Sequence, residues 1–182
     1  SIGPDATGLR ISMVWENERF KHCVDWVAGD QAFRILESVE GGENELWPPS
    51  PALQQLTLEQ RTQSRQVGLI VGMAGNSHWS VAIENDPRDR SMLFEVACRV
   101  ADTEAGSLTT TYKSMVPVKI IDPIERVAEL SIAGRKCRIK VESTGRGELD
   151  ELKIDGNIIT ITPTEMPETW PATVEWKYRL FG

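Results

Sequence analysis

The chain has 182 residues, 40% of them hydrophobic and 26% charged, a composition that excludes disordered and collagen-like classes and is sufficient to bury a core without staples. Twenty Lys and Arg against 27 Asp and Glu leave a net charge of -7, and the basic residues are not gathered together, so a nucleic-acid backbone is not an expected partner. No apolar run approaches the ~18 residues of a membrane span, and Ser1-Ile2-Gly3-Pro4-Asp5 has no basic stretch leading into an apolar one; no membrane partner is expected, and cytoplasm is the default location, a trimmed signal peptide leaving no trace in this sequence.

From the first residues onward the dominant spacing is two, the period that puts alternate side chains on one side of a pleated strand. Leu9, Ile11, Met13 and Trp15 form one row, a turn follows at residues 16–19, and Phe20, His22, Val24 and Trp26 form the next. Phe33, Ile35 and Val39 continue as a third, giving a three-strand meander. Glu37 interrupts that third row, and a β-bulge is the favoured account. Residues 41–51 begin with two glycines, carry acids and hold three prolines; they are the strongest loop in the chain and are expected to cross between sheets. Residues 51–60 are ambiguous. Ser50 before Pro51 has the form of a helix start, whereas Leu56 and Leu58 alternate as in a strand, and the neighbouring strands tip the choice to strand.

Val67, Leu69, Val71 and Met73 are answered by Trp79, Val81 and Ile83 across the turn Ala74-Gly75-Asn76-Ser77, a hairpin pattern. Met92, Phe94, Val96, Cys98 and Val100 make the longest alternation and predict a central strand. The Thr-rich stretch from Leu108 to Met115 predicts a strand partly open to water. Asp122-Pro123-Ile124-Glu125 has the residues of a capped helix start, so a short helix is expected there. Leu130 and Ile132 pair with Cys137, Ile139 and Val141 around Gly134, and Asp155-Gly156 predicts a type I′ turn that puts Leu152 and Ile154 on one face with Ile159 and Ile161. Pro163, Pro167 and Pro171 bracket a stiff loop before the closing row Val174, Trp176, Tyr178 and Leu180. Roughly a dozen short strands, no long amphipathic helix and no repeat predict a single all-β domain over residues 1–182: an antiparallel β-sandwich or a closed β-barrel, with at most one or two short helices.

Motifs for chemistry are sparse. Cys23, Cys98 and Cys137 are odd in number and widely spaced, which favours buried free thiols over disulfides or a zinc site. His22 shares its row with apolar residues and is expected inside. His78 follows Ser77 beside a turn; a Ser–His pair is geometrically open there, but no oxyanion loop or nucleophile elbow accompanies it. Asp25 and Glu95 are expected on wet sheet faces. Glu148, Asp150, Glu151 and Asp155 lack calcium-loop spacing, Gly68, Gly72 and Gly75 lack phosphate-loop spacing, and no cofactor or metal is expected. The three glycines instead predict a strand bend or the approach of another backbone.

Six of the twelve aromatic residues are Trp. Trp15, Trp26, Trp79 and Trp176 lie in apolar rows and are expected in the core. Trp47 and Trp170 each stand before a proline in a stiff loop, where a flat ring can anchor a ligand or a partner, or else lid the end of the fold. The leading expectation is a non-catalytic binding module for a small molecule, a glycan or a protein partner, with Trp47, Trp170, His78 and Ser77 as candidate binding residues and no catalytic set. The alternatives are a small hydrolase or isomerase using His78, Ser77 and strand carboxylates such as Glu37 or Glu95, and a structural or assembly domain. Oligomeric state is open at this level.

Overall fold

The computed structural model describes residues 7–42, 44–62, 65–101, 106–145 and 147–182; Ser1–Asp5 and Glu43, both read above, lie outside them. The described residues form fourteen strands and no helix: β1 (Thr7–Glu16), β2 (Arg19–Ala28), β3 (Gln31–Ser38), β4 (Gln55–Gln60), β5 (Gln66–Ala74), β6 (Ser77–Asp86), β7 (Ser91–Val100), β8 (Thr110–Ser114), β9 (Val118–Asp122), β10 (Val127–Ile132), β11 (Arg135–Glu142), β12 (Glu151–Asp155), β13 (Ile158–Thr162) and β14 (Ala172–Phe181). They build a six-stranded sheet in the order β1-β2-β3-β8-β13-β12 and an eight-stranded sheet in the order β4-β5-β6-β7-β14-β11-β10-β9. Each sheet keeps two free ends, so the architecture is a sandwich and not a closed barrel.

The period-two rows explain the layers. Phe94, Val96, Cys98 and Val100 of β7 and Val174, Trp176, Tyr178 and Leu180 of β14 are all buried, and β7 and β14 are neighbours at the middle of the larger sheet. Opposite them lie Val24 and Trp26 of β2, Leu36 of β3, Tyr112 of β8 and Ile159 and Ile161 of β13. Trp79 meets Trp176 edge to face with ring centres 6.1 Å apart, and Phe94 stacks on Tyr178 at 4.7 Å, the offset arrangements that aromatic quadrupoles favour. Polar links cross the same interior. The Tyr112 and Tyr178 hydroxyls are 2.6 Å apart, Trp176 Nε1 donates to Thr110 Oγ1 at 2.9 Å, and His22 Nε2 lies 2.7 Å from the Tyr112 hydroxyl.

Several expectations change. The short helix at Asp122 is a turn: the Asp122 carboxylate accepts from the backbone N–H of Ile124 and Glu125, but β10 begins at Val127 before a helical turn can propagate. The Thr-rich strand β8 is largely buried, because it lies between β3 and β13, and the Thr110 and Tyr112 hydroxyls find partners inside. The last hairpin turns at Gly156-Asn157, one residue later than expected, since Asp155 already pairs with Ile158; Leu152 and Ile154 still face Ile161 and Ile159. Trp15 is 55% exposed, since β1 is an edge strand and the ring lies at its end, edge-on to Phe20. The bulge expected near Glu37 is present: β2 and β3 slip register between Val24 and Asp25, leaving Ile35 unopposed. Leu36, not Ile35, therefore opposes Val24, and Glu37 turns outward.

The crossing loop delivers Ala52 and Leu53 into the core, at 0% and 1% exposure. Leu53 O accepts from Phe20 N of β2, and Gln54 N donates to Val71 O of β5. This passage requires Gly72, where a Cβ would stand 2.1 Å from Ala52 O. Gly68 faces no such contact; its nearest neighbour, at 3.7 Å, is the Leu58 side chain. Gly72→Ala is therefore expected to lose about 2–4 kcal/mol in chemical denaturation, and Gly68→Ala less than about 1 kcal/mol; equal losses would contradict the close approach of the crossing loop.

Candidate functional site

The crossing loop and the loop before β14 meet the same end of the sandwich. Trp47 lies over Gly106, where a Cβ would stand 2.4 Å from its ring, and Leu46 covers Gly75 in the same way. Trp47 and Trp170 are both half-buried and packed against the core, with a cis peptide joining Trp170 to Pro171. Each ring thus closes the end of the fold while leaving part of itself in solvent.

Ser77 and His78 are consecutive on β6, so their side chains take opposite faces: Ser77 is buried at 3% and His78 is exposed on the outer face. Glu95 shares that outer face but pairs in register with Ala82, four residues along β6 from His78, a separation of about 13 Å at the usual strand rise. Its carboxylate is taken by Lys177. Glu37 lies on the outside of the other sheet, bound by Arg34 at 2.7 Å and Lys21 at 3.2 Å. The residues of the hydrolase alternative do not converge on one pocket, and general-base chemistry requires hydrogen-bond reach.

His78 instead borders a groove of about 500 Å³ on the outer face of the eight-stranded sheet. Across four strands its end is a continuous row set by register: Met73 opposite His78, His78 opposite Arg99, Arg99 opposite Thr173. Ser80 and Ala97 are short and form the floor, while Val71 and Met73 supply an apolar wall. Neither His78 nor Arg99 forms an ion pair with a described residue.

A second opening lies between the layers. Leu9, Ile11 and Met13 of β1 face Leu56 and Leu58 of β4 across a cleft of about 520 Å³ with Ile70 at its base. In the sequence both sets stand as alternating apolar residues. They remain partly exposed because both strands are sheet edges.

Buried titratable groups form a third feature. Asp25, expected on a wet face, is buried on the outer side of β2 beneath Arg34 and Arg10, which bind it at 2.6 and 2.9 Å. Burial pushes its carboxyl up, but those hydrogen bonds outweigh it and hold the group below the ordinary carboxylate range. All three thiols are buried and free, with Cys98 pushed up to about 12 and Cys137 to about 11 by burial; inert thiols are the consequence. Burial lowers His22 to about 4. Glu40 is raised to about 6 by burial, against the hydrogen bond from Ser38 Oγ at 2.5 Å and the charge of Arg19. Among the described residues no group of three or more His, Cys, Asp or Glu is arranged to hold a metal ion, and no helix is long and apolar enough to cross a membrane.

Comparison with protein-family models gives no match, and neither does comparison with curated proteins.

His22 and Glu40 act in opposite directions on stability. His22 binds its proton less readily when folded, so its contribution is complete above its ordinary pKa of 6.5 and is lost as pH falls toward about 4. Glu40 binds its proton more readily when folded, so its contribution is complete below 4.5 and is lost as pH rises through about 6. Between pH 4.5 and 6 the two slopes oppose each other. Glu40→Gln is expected to expose the His22 slope, with folding stability rising more steeply with pH across that window than in the wild type; an unchanged slope would contradict the assignment.

Proposed function

We propose that this chain is a non-catalytic binding module whose ligand is a small polar molecule carrying a carboxylate, of the sugar-acid class, held in the outer groove of the eight-stranded sheet. The row His78–Arg99–Thr173 on adjacent strands carries this reading. Arg99 presents a planar fork of donors matched to a carboxylate, and His78 and Thr173 add hydrogen-bonding groups on either side. The volume lies within the usual range of small-ligand sites, roughly 300–1,000 Å³, and the short Ser80 and Ala97 side chains leave room for a ring against Val71 and Met73. In a chain of net charge -7, a cationic side chain without an ion-pair partner among the described residues is a local departure from the overall charge. An enzymatic role has no support from the placement of Ser77, Glu37 or Glu95. Trp47 and Trp170 retain a part in this reading as the lids that hold the adjoining end closed.

Titration calorimetry with glucuronate and, as the neutral control, glucose tests the proposal. Glucuronate is expected to bind and glucose to bind at least about tenfold more weakly, with Arg99→Ala removing the preference. Equal binding of the two sugars, or an Arg99→Ala variant that retains full affinity for glucuronate, would overturn it.

A further inference from the structure

We infer that the open side of the sandwich, formed by β1 and β4, is an interface for a second copy of this chain, related by one two-fold axis perpendicular to the layers. The inference is independent of the ligand groove, which lies on an outer face.

The two sides of the sandwich treat their edges differently. On one side β12 and β9 are only five residues long. β12 carries Glu151, Lys153 and Asp155, and β9 reaches its neighbour β10 through a register shift at Val127/Ala128. Short length, charge and bulges are the devices by which natural sheets prevent edge pairing. The other side lacks bulges and lysines, and its strand β1 is twice as long as β12 or β9. β1 runs for ten residues and pairs along its whole length with β2 without a register shift, and β4 pairs with β5 in the same unbroken way. Neither strand contains Pro or Lys. Among the described residues no backbone hydrogen bond closes the outer edge of β1. Behind these edges lies the apolar cleft, with Leu58 62% and Leu56 37% exposed.

The choice of occupant follows from geometry. A single inserted peptide strand adds to one sheet and leaves the other edge unpaired. A second copy satisfies both. Because β1 and β4 face each other across the cleft, an axis normal to the layers places β1 antiparallel to its copy and, at the same time, β4 antiparallel to its own, and both sheets continue through the contact. An isologous contact of this kind requires self-complementarity, and β1 has it: with Met13 on the axis, Arg10 of each copy faces Glu16 of the other on the register count. Opposite charges directly across a pair stabilise it. A ten-residue strand is about 33 Å long, and two layers with their gap present a face roughly 20 Å deep, on the order of 600 Å² per copy. Two copies then bury about 1,200 Å², the lower end of stable interfaces.

Sedimentation equilibrium and cysteine cross-linking test this. At concentrations up to about 100 µM the wild-type chain is expected to reach twice its 20.3 kDa mass. Leu58→Lys, at an exposed position in the cleft, is expected to weaken the dimer at least about tenfold, whereas Ile124→Lys, at an 80% exposed position outside the cleft, leaves it unchanged. Met13→Cys, which sits on the axis, is expected to form a covalent dimer on mild oxidation, the native thiols being buried. A wild-type chain that stays monomeric over this range overturns the inference and leaves the cleft to another occupant. A dimer indifferent to Leu58→Lys, or one in which Met13→Cys does not cross-link, overturns it equally, since the contact then lies elsewhere.

Discussion

Hydrogen bonds across the interior determine how the two sheets face each other. Apolar contact alone is non-directional, and two pleated faces can slide over one another by a residue pair with little change in buried area. Tyr112 and Tyr178 remove that freedom: each hydroxyl is fully enclosed, and the bond between them joins β8 of one sheet to β14 of the other. Trp176 Nε1 and Thr110 Oγ1 make a second such bond between the same two strands. A buried polar group that loses its partner costs about 1–3 kcal/mol, so any displaced arrangement of the layers carries that cost at several atoms together. His22 extends the chain of polar contacts to β2, and desolvation keeps it neutral there.

The surfaces follow from that alignment. With Trp176 and Tyr178 fixed inward, Thr173, Glu175 and Lys177 of β14 must face out, and the register with β7 and β6 then sets Arg99 and His78 beside Thr173. The groove is the outer expression of the same strands that carry the core. The crossing segment Ala52–Leu53 performs the complementary task at one end, where Gly72 admits it between β2 and β5. The side formed by β1 and β4 is left open, and its rows Leu9–Ile11–Met13 and Leu56–Leu58 are apolar without being enclosed.

Much of this was legible in the sequence, for a physical reason. Period-two rows, glycine turns and the Pro-rich crossing loop are local signals, and they locate β2, β5, β6, β7, β11 and β14 as they stand. What depends on sheet position was not legible. β8 looks half-wet because it is rich in Thr, yet its place between β3 and β13 buries it; β1 looks like core because it is apolar, yet its place at an edge exposes Trp15. Asp122 offered a helix cap, but a cap without residues to propagate becomes a turn. At the site level, His78 could be singled out, and the separation of Ser77 from it follows from strand alternation. Arg99 gave no signal of its own: it enters the groove only through the pairing of β6 with β7, a contact between segments whose register no local pattern encodes. Glu40 was hidden for the same reason, since it is burial in the folded chain, against the opposing pull of Ser38 and Arg19, that raises its affinity for a proton.

A double-mutant cycle on Tyr112→Phe and Tyr178→Phe, read by chemical denaturation, examines the bond on which this arrangement rests. Each single variant is expected to lose about 1–3 kcal/mol, and the double variant to lose less than the sum by about 1 kcal/mol or more, because removing both hydroxyls leaves neither one unpaired toward the other. Losses that add to within about 0.3 kcal/mol would mean that the two hydroxyls do not act as a pair, and that something other than this bond holds the sheets in alignment.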